Sequence, residues 1–271
     1  MTTRHMRTTV LATALAFDLL VIVLAVSNIP ALRARFGTFD TVTNQIVGFT
    51  FLLFGIYVLL RHHRAGYAGI LHALAVGTAV MILLDPGSLT TGGTAMDLAL
   101  RLCFDVAIWL LPALFFHFSF IYPVEKDLPK RLIMFPWYLV SAAGVALSAF
   151  HLAAMHFAGV PGRDTPYMEI HGTYNDVFLI VGLLCTIANF EHSALTIPDP
   201  VQRKNAYWVL LGIMAGPLLY VLMMLVPRML LGHELVNDST LQYTLFIAPL
   251  MFWKALRRSR PADVAHKKRR V

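Results

Sequence analysis

Five ionisable side chains stand inside long apolar runs of this sequence: Asp18, His72, Arg101, Asp105 and His117. An ionised group at bilayer depth is costly unless it is paired or hydrated, so each is a candidate for function. Arg101 and Asp105 are four residues apart, which puts them on one helical face as an ion pair. Asp18 lies about ten residues from one end of its run, and Asp105 about ten from the opposite end of its own, so both are expected near the bilayer midplane. An Asp18–Arg101–Asp105 cluster is therefore expected. It suits either a structural pair that fixes helix packing or a site that senses a ligand or a proton.

A second group brackets one connection: His151, His156, Arg163, Asp164, Glu169, His171 and Asp176. Three histidines and three carboxylates suit metal binding or titration near neutral pH. The spacing matches no named metal motif, and His151 and His156, five apart, fall on different helical faces. A hydrated polar rim is the plainer reading. His62 and His63 form a lone pair on a short basic turn. The sequence has no HExxH, GxSxG, Walker A or histidine-box pattern, so no catalytic residue and no cofactor are assigned. Cys103 and Cys185 form no CxxC pair and read as small apolar residues.

The elements that must position these residues are set by composition. Of 271 residues, 58% are hydrophobic and only 14% charged, far from the balance of a soluble domain. That excludes a soluble enzyme, a disordered chain and a fibrous one. The pattern predicts an all-α polytopic helical bundle of about eight spans. They fall near 9–28, 44–60, 67–84, 96–122, 132–157, 173–192, 205–231 and 240–256. Residues 1–256 form a single transmembrane domain, followed by a basic tail over 257–271. Pro112 interrupts the fourth span as a candidate hinge, because proline removes a backbone hydrogen bond.

Net charge is +7, but the basic residues sit in short clusters between spans, so membrane topology explains them better than a nucleic-acid partner. With the N-terminus cytoplasmic, seventeen Lys and Arg fall in cytoplasmic segments and four in outer ones, with Arg101 inside a span. That alternation predicts an inner-membrane protein with both termini in the cytoplasm. Arg4, Arg7 and Ala25-Val26-Ser27 have some features of a cleaved leader, but Asp18 interrupts the run, and a retained first span is expected.

Two stretches carry a family resemblance. One runs from Leu111-Pro112 through Phe115-Phe116-His117-Phe118-Ser119-Phe120-Ile121-Tyr122-Pro123. The other runs from Gln202-Arg203-Lys204-Asn205-Ala206-Tyr207-Trp208 through Gly212 and Gly216-Pro217 to Val226-Pro227. Together they resemble the multi-span membrane sensor region of bacterial sensor histidine kinases of the competence quorum-sensing type. The likeness covers roughly residues 95–258, and its motifs are short. His117 and Arg203 match the family's pattern. About fifteen residues follow the last span, too few for the phosphoacceptor helices or ATP-binding domain of a kinase. What the resemblance implies is a sensor module for a peptide, lipid or small apolar signal, working in the lipid bilayer through a protein partner. The rival readings are a redox subunit or enzyme with His72 and His117 as haem or metal ligands, and an accessory subunit of a larger membrane complex.

Overall fold

A computed structural model describes residues 3–63, 65–84, 95–126, 129–158, 166–233, 235–236 and 243–258. Every regular element among them is helical: α1 (Thr3–His62), α2 (Ala68–Leu83), α3 (Ala95–Ile121), α4 (Lys130–Ala158), α5 (Pro166–Thr196), α6 (Pro200–Leu231) and α7 (Ile247–Arg258). Six helical stretches are long and apolar enough to cross a membrane: Thr9–Ala34, Gly37–His62, Leu98–Ile121, Arg131–Ala154, Gly172–Thr196 and Pro200–Leu231. The chain is thus a helical, polytopic membrane bundle. α2 and α7 are shorter; α2 lies within the span expected over 67–84, and α7 overlaps the one expected over 240–256.

Helix α1 is two arms joined at Gly37, whose φ of 83° suits a residue without a Cβ. The arms fold back on one another. Asp18 of the first arm meets His72, and the His72 ring packs on Gly55 of the second, where a Cβ would stand 3.4 Å from Nδ1. A straight helix would hold Asp18 and Gly55 roughly 55 Å apart. The outer segment expected over 29–43 is consequently helical except at its break, because Ala31, Leu32 and Ala34 sustain a helix up to the glycine.

Contacts between helices fix their directions. Gly48 meets Leu83 and Gly55 meets Ala75 and Val76, so the second arm of α1 and α2 are antiparallel. Trp109 against Gly144 and His117 against Tyr138 make α3 and α4 antiparallel. Pro112 against Gly182 and Ser119 against Asn189 make α3 and α5 parallel. Gly212 on Phe252 and Gly216 on Leu245 set α6 against α7 in opposite directions. Thr43 on Tyr243 and Phe54 on Phe252 run α1's second arm parallel to α7. The eight helical segments thus alternate in direction. The start of α1 and the end of α7 lie at one end of the bundle, with Arg61, Lys126, Arg203 and Lys254; this is the basic end.

Packing closes a ring: α1 on α2, α2 on α3, α3 on α5, α5 on α6, α6 on α7, and α7 back on α1. α4 packs on the outside of α3. Leu132, Phe135, Leu139, Leu147 and Phe150 on α4 remain exposed, as do Val10, Leu19 and Val23 on the first arm of α1. Such faces suit hydrocarbon. Small residues let the backbones approach, as membrane helices require. A Cβ at Gly182 would stand only 2.7 Å from the Pro112 Cβ, and one at Gly144 would enter the Trp109 ring.

Helix α6 starts where Asp199 accepts a hydrogen bond from the Val201 N–H at 2.9 Å, with Pro200 at the first helical position. It widens into π-helical turns over Met214–Leu218 and Val221–Leu225. Pro217 lies in the first of these turns. Its missing N–H and its ring do not suit a regular α-turn, and widening is one way a helix accommodates that. Gly232, with φ 74°, ends the helix by donating its N–H to the Arg228 carbonyl.

Candidate functional site

The expected three-way cluster is two separate pairs. Asp18 pairs with His72, Oδ1 to Nε2 at 3.5 Å, and Arg101 pairs with Asp105, Nε to Oδ1 at 3.4 Å. The physical reason is depth. Gly77 of α2 packs against Leu111 of antiparallel α3, which puts His72 level with residue 116 or so. Asp105 stands roughly 16 Å farther from the basic end. Asp18 follows His72 and therefore lies nearer the basic end than the midplane position expected from counting.

The Asp18–His72 pair is almost wholly enclosed, at 1% and 7% exposure. Neither Asp18 oxygen makes a hydrogen bond, and neither does His72 Nδ1. Desolvated polar atoms left this way cost stability, so the pair is held by the surrounding packing rather than by its own geometry. Val21, Leu24, Val76 and Ala79 belong to the apolar core beside it.

Arg101 and Asp105 join a polar group on the α3–α4 contact. Ser148 hydrogen-bonds Asp105, and His151 stands within electrostatic reach of Arg101. His156 is exposed on the last turn of α4, with its ring against Phe157. Glu169 and His171 lie in α5, and their side chains, like Arg163 and Asp164, fall outside the described residues. Asp176 instead forms an ion pair with Arg228 of α6 at 2.6 Å. Among the described residues there is no group of three His, Cys, Asp or Glu placed to hold a metal.

His72 and His117 share a depth but face opposite ways. His117 Nδ1 bonds the Tyr138 hydroxyl on α4 at 2.8 Å, whereas His72 turns to α1. Pro112 is buried inside an unbroken α3 and fills the groove over Gly182.

The stretch Phe115 to Tyr122 forms the hub of the basic end. Phe118 stacks on Tyr122 with ring centroids 5.2 Å apart and touches Phe190 of α5 and Phe252 of α7. Tyr122 meets Tyr67 edge-on at 5.0 Å, next to α2. Phe116 and Trp137 link α3 to α4. One helix end thereby touches α4, α5, α7 and the residue that opens α2. Aromatic edges and faces at these distances attract beyond the area they bury.

Two polar contacts secure the hub, and the sequence reading missed both. The Lys126 ammonium donates to the Asn189 carbonyl at 3.1 Å and to its side-chain oxygen, while the Asn189 amide donates to Ser119. Burial lowers the Lys126 ammonium from its usual range. Tyr67 hydrogen-bonds His62 Nδ1 at 3.2 Å, and burial, helped by Tyr57, raises its phenol to about 12. The available signal was Ser119 and Asn189, two polar residues inside otherwise apolar runs. Lys254 also lies 3.7 Å over the Trp208 ring, tying α7 to α6.

No family model matches the chain, and no curated protein or solved structure matches it.

Proposed function

We propose that this protein is a membrane-embedded sensor module acting through a protein partner at its basic end. The observation that carries the reading is the hub. Residues 115–122, the stretch that resembles the sensor region of competence-type kinases, are where α2, α4, α5 and α7 meet α3. A tilt of any of these helices changes contacts at the hub and shifts the connection through Lys126. A packed junction with alternative arrangements is what a transmembrane signal requires.

In this reading the protein lies in a bacterial inner membrane and all eight helical segments cross it, α2 and α7 included. The alternating directions and the clustering of Arg61, Lys126, Arg203 and Lys254 at one end support both termini in the cytoplasm. Apolar small molecules or peptides are the fitting ligands, reaching the bundle through its apolar outer faces. The basic tail suits anionic headgroups by its charge, and its residues 259–271 lie outside the described residues.

The test is gentle purification from native membranes, followed by mass spectrometry of bound proteins and an absorbance spectrum. A stoichiometric signalling protein, lost when Phe118→Ala breaks the hub in a folded variant, is the expected result. A Soret band, or stoichiometric partners drawn from a respiratory complex, would replace this reading with the redox or accessory-subunit one.

A further inference from the structure

We infer that Asp18 and His72 form a proton-binding site inside the bundle, holding one shared proton between α1 and α2. The inference does not depend on the identity of any partner. Its basis is geometry: a carboxylate and an imidazole 3.5 Å apart, both more than nine-tenths enclosed, with Oδ1, Oδ2 and Nδ1 lacking any hydrogen bond. Two such groups with one proton between them are neutral as a unit, whichever atom carries it. Adding a second proton, or removing the shared one, leaves a net charge in an apolar core, which is costly. The two groups therefore bind and release protons together rather than separately.

Among the described residues, His72 is the charged partner that acts on Asp18. On α2, His72 is the only titratable residue. The second arm of α1 carries Asp40 near Gly37, far from Gly55, and Tyr57, Arg61 and His62 toward the basic end, where His62 is engaged with Tyr67. On α3, Arg101 is paired with Asp105 farther out and His117 turns to Tyr138. On α7, Lys254 sits on Trp208 and Arg257 on Trp253. The packing around the pair fixes it: Gly55 leaves room for the His72 ring. A change in proton occupancy consequently bears on the contact between the first arm of α1 and α2.

The experiment uses full-length protein in lipid nanodiscs, labelled with ¹⁵N-histidine, with the His72 signal assigned from His72→Gln. Asp18→Asn is expected to weaken proton binding at His72 by at least about tenfold, the mark of two strongly interacting sites. Exposed His156 and His192 serve as references in the same sample, and unchanged signals there show that the variant folds. A His72 midpoint within about twofold of the parent's would overturn the inference. Infrared pH-difference spectra of the unmodified protein give a second test that needs no variant. A carboxyl band and an imidazole band should titrate with one midpoint; separate midpoints, or no titrating carboxyl band, would contradict the shared site.

Discussion

Arg101 and Asp105 were legible as a pair because the interval of four residues brings two side chains onto one helical face. Asp18 was legible as an unusual residue, but its partner was not. The identity of that partner depends on which helices are neighbours and at what height, and a fold-back at Gly37 decides both. Residue-scale energetics give a direct check on the α3 pair. Arg101→Ala should cost about 2 kcal/mol more than the double change of Arg101 and Asp105 to Ala, because the single change strands a buried carboxylate. Unfolding in mixed micelles measures both, and additive losses would argue against coupling. Tyr67 gives a pH test. Its folded phenol, at about 12, holds its proton more tightly than an unfolded one near about 10. Its contribution is therefore complete below about pH 10 and lost as pH rises toward about 12. The alkaline limb of the stability profile should flatten in Tyr67→Phe.

Among the elements, the apolar runs were legible from composition and length: each overlaps a described helix, and six helical stretches are long and apolar enough to cross a membrane. The exact position of α1's break was not, since the residues after 28 continue the helix up to Gly37. Gly37→Ala should destabilise by about 1–3 kcal/mol, because φ 83° with ψ 174° is a conformation only glycine adopts without strain. The α3–α5 contact makes a sharper prediction. Gly182→Ala brings a methyl against the Pro112 ring and should cost about 1–3 kcal/mol, while Gly172→Ala, facing open space, should be near neutral. Equal effects at the two sites would show that the close approach of α3 and α5 does not limit stability. The hub at Phe118 escaped the sequence reading for a related reason. Aromatic residues near a helix end read as interfacial anchors, and only the ring of helices turns them inward.

For the whole molecule, function rests on which end faces the cytoplasm. The hub, the Lys126 connection and the end of α7 share the basic end, which is where the proposed signalling partner would meet them. Charge along the sequence and the alternating helix directions agree on this arrangement, although they have different physical origins: insertion retains Lys and Arg on the cytoplasmic side, and packing sets the directions. The most direct measurement is dual topology reporting. A reporter is fused after Val271, a second is inserted between residues 158 and 171, and a cysteine replacing Glu125 is labelled in intact cells and in inverted vesicles. The account predicts a cytoplasmic signal at Val271, an outer signal in the 158–171 connection, and labelling of position 125 only from the cytoplasmic side. An outer C-terminus, or position 125 labelled from outside, would contradict it.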